Sequence, residues 1–192
     1  MKIFILGLPG SGRSTVAKSI SENGFKYIDT TSWIKSEFRE PKVNECQSSF
    51  DDEYKEFFSK KLLDNPLFII DRVKEIHKLN NNIIIDGICS PYNFISLFDY
   101  REDLIVILNR IDNETDCSDH ESIGISVIRD YCFWMASAGL INKSKWIEYN
   151  FKIPGEDCKS IKMIGAQNSI LLAKSINNVI QHLSKYLFKN LD

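Results

Sequence analysis

Continuous apolar runs alternate with amphipathic stretches along most of the chain. Lys2-Ile3-Phe4-Ile5-Leu6 is apolar after its lysine and ends in Gly7, which predicts a strand buried on both faces, as in a parallel sheet covered by helices. A helix is expected from Ser14 to about Asn23, stopped by Gly24 at its C-cap. Phe25 to Asp29 reads as a second strand, and Thr31 to Phe38 as a helix that begins on a hydroxyl cap. Two amphipathic helices follow, from Phe50 to about Leu63 and from Leu67 to Leu79, with Asn65-Pro66 between them. Ile83 to Asp86 and Leu104 to Leu108 are rich in β-branched residues and predict two central strands. The polar, acidic stretch from Asp112 to Glu121 reads as a loop. Helical periodicity then runs from Ile123 to Ala138 and stops near Gly139. Trp146 to Phe151 reads as a last strand, and Ser169 to Leu187 as an amphipathic C-terminal helix.

Strands alternating with helices over 192 residues indicate a single three-layer α/β/α domain built on a mainly parallel, five-stranded sheet. Such a chain is long enough to bury one core without disulfides or metals. In folds of this kind ligands bind beyond the carboxyl ends of the strands.

Charge and cysteines narrow the partners. With 24 basic against 26 acidic residues the net charge is -2, which gives no field for gripping a nucleic acid or an anionic membrane. A small ligand carrying two or three phosphates is compatible with that balance. The five cysteines, Cys46, Cys89, Cys117, Cys132 and Cys158, are odd in number and lack a C-x-x-C pair, so neither a disulfide frame nor a zinc knuckle is expected. The opening apolar run is too short for a signal peptide, and no stretch approaches 18 apolar residues. A cytoplasmic protein with no membrane partner, monomeric or homodimeric, is the expectation.

Gly7-Leu8-Pro9-Gly10-Ser11-Gly12-Arg13-Ser14 matches the phosphate-loop pattern G-x-x-x-x-G-K-[ST] at every fixed position but the lysine, and Thr15 follows as a second hydroxyl. Gly7, Gly10 and Gly12 permit positive φ and clear side chains from the concave surface, so that backbone N–H groups, with Pro9 and Ser11 between the glycines, converge on a phosphate. The helix starting near Arg13 adds its positive end. Ser14 is placed to ligate Mg²⁺, and Thr15 to reach an α-phosphate oxygen or to cap the helix. Arg13 is the unusual member: guanidinium is larger, planar and forked where lysine is a point charge.

With these residues the chain resembles the nucleoside monophosphate kinase group of P-loop proteins (the P-loop containing nucleoside triphosphate hydrolase fold). Ser14 to Lys18 and Gly24 to Asp29 look especially like dephospho-coenzyme A kinases. The resemblance spans residues 1 to about 110 and is sharp only in the loop. It implies ATP as donor, Mg²⁺ as cofactor and a small phosphate acceptor. It also implies a helical acceptor-binding insertion at about 36–80 and a lid-like region at about 110–145. Asp29, ending the second strand, corresponds to an acidic residue near the acceptor; a helix cap for the segment at Thr31 is the other reading. Asp86-Gly87 resembles the D-G of adenylate kinases, with the aspartate near the metal, and a simple strand-ending turn stands beside that reading.

Three departures stand out. Thr31 replaces a second acidic residue, Cys89-Ser90-Pro91 stands where related kinases carry an arginine for the acceptor's phosphate, and the region from Asp112 to Ser122 holds five acidic residues and no arginine. Cations for the transferring group would then come from Arg110 or Arg129, though a solvated surface ion partner of Asp130 and its neighbours is the commoner fate for the latter. Trp33, Phe38, Phe57 and Phe58 are candidates for stacking on a base, with core packing the commoner fate. Two functions follow: an ATP- and Mg²⁺-dependent kinase of a nucleotide or nucleoside monophosphate, using Arg13, Asp29, Asp86, Arg110 and Arg129, and a nucleotide-binding pseudokinase or sensor. A polynucleotide end kinase is disfavoured by the missing basic patch.

Overall fold

A computed structural model of the chain describes residues 1–8, 11–38, 47–88, 90–110, 120–141, 145–151, 170–172 and 176–188. The elements run β1 (Lys2–Gly7), α1 (Arg13–Ser21), β2 (Lys26–Asp29), α2 (Thr30–Lys35), α3 (Gln47–Asp64), α4 (Phe68–Leu79), β3 (Ile83–Asp86), α5 (Pro91–Leu97), β4 (Leu104–Arg110), α6 (His120–Ser137), β5 (Trp146–Phe151), β6 (Ile170–Leu172) and α7 (Ile176–Phe188). The strands form one sheet in the order β2-β3-β1-β4-β5-β6, and every neighbouring pair is parallel. This is the expected three-layer α/β/α architecture, with helices on both faces of the sheet.

β1 lies inside the sheet because both of its faces are apolar, and it pairs with β3 on one side and β4 on the other. Ile3, Ile5, Ile84, Val106 and Leu108 face α1 and α7, which contribute Val16, Ala17, Ile20, Val179 and Leu183. Phe4, Leu6, Ile83, Ile85, Ile105 and Ile107 face the other way, against Ile70 and Val73 of α4, Phe94 of α5, and Ile128 and Cys132 of α6. Fully burying one such side chain contributes about 1.5–3 kcal/mol, so these two layers carry most of the fold's stability. Burial pushes the Cys132 thiol up to about 12, which leaves it protonated and unreactive at neutral pH.

Two segments differ from expectation. Pro91–Leu97 forms a helix that periodicity did not signal: Ser90 caps it, accepting from the Asn93 N–H, and Pro91 opens its first turn. Ile170–Leu172, expected at the start of the C-terminal helix, pairs instead with β5 as a sixth strand, and the helix begins at Ile176. A three-residue apolar run does not distinguish strand from helix by period, and here the open edge of β5 decides.

Candidate active site

Parallel strands end on the same edge, and the register fixes which residues meet there. Ile5 lies beside Asp86, and Asp86 beside Asp29, so the ends of β1, β3 and β2 bring two carboxylates next to the loop that leaves β1 at Gly7. Gly7 cannot carry a side chain, since a Cβ there would lie 2.8 Å from the backbone oxygen of Leu108. Gly12 has φ of 82°, and a Cβ would come within 2.4 Å of Ile176 on α7. Ser11 donates its N–H to the Leu8 carbonyl at 3.0 Å, and its buried hydroxyl has no hydrogen-bond partner among the described residues. Pro9 and Gly10 lie outside the described residues. α1 follows directly, with Gly12 as its N-cap and the N-terminal amides turned to the loop.

Asp86 is the centre of the site. It is 1 % exposed, yet four groups bind it. Ser14 donates its hydroxyl to Oδ2 at 2.6 Å, and Tyr27 donates its own to the same oxygen at 3.0 Å. Arg13 Nε stands 3.2 Å from Oδ1, a charge–charge contact outside hydrogen-bond geometry. Thr30 donates its hydroxyl to the Asp86 carbonyl at 3.1 Å. The second arm of Arg13 reaches back across the loop, Nη1 donating to the Gly7 carbonyl at 2.7 Å. Burial, and then the negative charge of Asp86, raise the Tyr27 phenol well above its ordinary value, so the hydroxyl stays a donor to the carboxylate.

Asp29 Oδ1 accepts from the Thr31 and Ser32 N–H groups at 3.1 and 3.2 Å and from the Thr31 hydroxyl at 2.6 Å. That is the arrangement of a helix cap for α2, while the register keeps the carboxylate beside Asp86. Gly87, at φ of 89°, turns the chain sharply after β3; a Cβ would meet Thr31 Cγ2 at 2.8 Å. The two turns after β2 and β3 are packed against each other.

Of the two later arginines, Arg129 lies elsewhere, while Arg110 stands two residues beyond the Leu108 that pairs with Gly7. Arg129, on α6, contacts Glu148 of β5 through Nη2 at 2.8 Å and Nε at 3.2 Å, and Asn109 donates to the same carboxylate. Glu148 is fully buried and lies on the α6 face of the sheet, three strands from Asp86, about 14 Å at the usual strand spacing. Arg129 keeps 46 % of its side chain exposed, so one side of the guanidinium is open. Arg110 ends β4, and its side chain lies outside the described residues. Thr15 is exposed in the first turn of α1. Trp33 is covered by the Arg72 guanidinium at 4.7 Å, and Phe38 and Phe57 pack ring to ring at 5.2 Å. The acidic stretch 111–119 lies outside the described residues.

Sequence reasoning missed Tyr27, Thr30, Asn109 and Glu148. The signal for Tyr27 was present: two residues before Asp29 on one strand, it shares that residue's face.

Ser14 and Asp86 offer hard oxygens side by side, and Asp86 Oδ1 is buried without a hydrogen bond, which fits a small divalent cation. Among the described residues there is no group of three or more His, Cys, Asp or Glu that could hold a metal ion by itself. No described helix is long and apolar enough to cross a membrane.

No family model matches the chain, and no curated protein matches it. Among solved structures it is similar to a sugar kinase from Janibacter sp. HTCC2649, with 10% identity over 97% of this chain and 93% of that one and a TM-score of 0.40. It is also similar to shikimate kinase from Bacteroides thetaiotaomicron, with 14% identity over 97% of this chain and 98% of that one and a TM-score of 0.42.

Proposed function

We propose that the chain is a nucleotide-dependent phosphotransferase that takes ATP as donor and a small acceptor, most simply a nucleotide or nucleoside monophosphate. One observation carries the reading: a glycine-lined loop between a buried strand and a helix N-terminus opens beside a buried carboxylate at the carboxyl edge of the sheet. The backbone N–H groups of residues 7–14 other than Pro9, Gly10 included, hold the β-phosphate, with Pro9 shaping the loop between them, and Thr15 serves the α-phosphate or the cap. Ser14 and Asp86 hold Mg²⁺, which when bound offsets charge on the donor's terminal oxygens. Transfer breaks the bond between the γ-phosphorus and its bridging oxygen and forms one to the acceptor oxygen. The acceptor's proton passes to Asp29 on the neighbouring strand end. Arg13, Arg110 and Arg129 are the cations available to the transferring group, with Arg129 drawing on the open side of its guanidinium. The helices at about 36–80 take the acceptor, and the region at about 110–145 closes over it.

A second reading has its own observation in favour. Arg13 holds Asp86 and the Gly7 carbonyl, a different posture from a point charge aimed at the γ-phosphate. A chain that binds nucleotide in this loop without transferring phosphate would be a sensor or pseudokinase. Incubating the protein with ATP, Mg²⁺ and a panel of nucleoside monophosphates and dephospho-coenzyme A separates the two. The first expects ADP to appear only with one acceptor. Nucleotide binding with no product from wild type, and product from Arg13→Lys, would select the second.

A further inference from the structure

One guanidinium in this site faces two claims. Arg13 bridges the Gly7 carbonyl on the rim of the phosphate loop and the carboxylate of Asp86, and only 15 % of its side chain is exposed. Asp86 itself is nearly without contact with solvent, so its charge depends on what touches it. Ser14 and Tyr27 supply neutral hydroxyls to Oδ2, while Arg13 supplies the positive charge against Oδ1. A lysine at position 13 would be a single mobile ammonium; the forked arginine spans two fixed acceptors and is held between them.

We propose that Asp86 and the phosphates of a bound nucleotide compete for Arg13, so that Asp86 holds back nucleotide binding when no divalent cation is present. The proposal rests on the nucleotide-binding reading above. Phosphates that recruit the guanidinium must strip it from Asp86 and leave a buried carboxylate with hydroxyl donors alone, which is costly. If the guanidinium stays on Asp86, the phosphates are held by loop amides without their nearest side-chain cation. A divalent cation at Ser14 and Asp86 removes the conflict, because it neutralises the carboxylate and leaves Arg13 to the phosphates. Arg13 is in this sense a positioning element whose availability Asp86 controls. The expected linkage is reciprocal: nucleotide favours metal at Asp86, and metal favours the contact of Arg13 with nucleotide.

The test uses ADP, titrated calorimetrically into the full chain in EDTA and in excess Mg²⁺, with wild type, Asp86→Asn, Arg13→Gln and the double variant. The asparagine side chain keeps the shape of the aspartate and removes its charge. If Arg13 spends about nine-tenths of its time on Asp86, Asp86→Asn binds metal-free ADP about tenfold more tightly than wild type. The same change on the Arg13→Gln background gives no gain. A carboxylate that served only as a metal ligand would leave metal-free affinity unmoved, and that result, or a weakening, overturns the proposal while the nucleotide-binding reading stands. If no protein binds ADP in either buffer, both fall together. Should Asp86→Asn fail to fold, Mn²⁺ alone, followed by its electron spin resonance signal, provides the second arm. Arg13→Gln is expected to bind the ion about tenfold more tightly than wild type, and equal affinities overturn the proposal.

Discussion

Gly12 and Gly24 both have positive φ, 82° and 92°, but only Gly12 is crowded, with Ile176 in the path of a Cβ. Gly24→Ala is therefore expected to cost about 1 kcal/mol from backbone strain alone and to leave ATP binding unchanged. Gly12→Val adds a clash with α7 and a side chain at the phosphate loop; we expect a loss of about 2–3 kcal/mol and of the ATP-induced rise in melting temperature. A Gly12→Val protein that melted like wild type and kept the shift would place the phosphates elsewhere. Glu148 gives a second test. Its folded-state pKa is raised above 4.5, chiefly by burial, with the Arg129 charge and the bonds from Arg129 and Asn109 pulling it back. A raised folded value means that the fold binds the proton more tightly than the unfolded chain, so this group's contribution to stability is complete below pH 4.5 and is lost as pH rises through the folded value. Urea denaturation at a series of pH values should show Glu148→Gln gaining on wild type as pH rises from about 4 to about 8; a constant difference contradicts it.

Along β1 two ends do different work. The carboxyl end leads into the glycine-rich loop, and the amino end is tied down by Asp103, which precedes β4. Asp103 is fully buried; it accepts from the Lys2 N–H and the Asp99 N–H, both at 2.8 Å, and pairs with the Lys2 ammonium at 2.9 Å. Truncating it leaves a largely buried ammonium and two amides unpaired, so Asp103→Ala should cost about 3 kcal/mol in urea denaturation, and a loss below about 1 kcal/mol would mean water replaces it freely. What was legible in the sequence follows from the same distinction between local and distant contacts. Lys2 to Gly7, Ile83 to Asp86 and Leu104 to Leu108 announced themselves because strands buried on both faces must be apolar throughout. The glycine-rich pattern of the loop was readable because it sits in eight consecutive residues, and the phosphate chemistry proposed for it rests on that pattern. The contact of Arg13 with Asp86, 73 positions apart, was not, since it depends on the β1–β3 register and on which way a long side chain turns. α5 stayed hidden because seven residues give fewer than two full turns of periodicity.

For the molecule as a whole, the sheet order places β1 between β3 and β4, and the loop, Asp86 and Asp29 gather where the strands on that side end. The Arg129–Glu148 pair belongs to the opposite face, so any transfer chemistry that enlists Arg129 requires α6 to bring its exposed side toward the loop. That distribution was not legible either: Arg129 on a helix beside Asp130 reads as a solvated ion partner, and nothing local to Glu148 marks it as buried. Everything functional nonetheless depends on whether amides at the carboxyl end of β1 hold a polyphosphate. Calorimetric titration of the wild-type protein with ATP in the presence of Mg²⁺ asks this most directly. Saturable heat at one site per chain, abolished in Gly12→Val, is the expected result; no heat with ATP or any other purine triphosphate would contradict it.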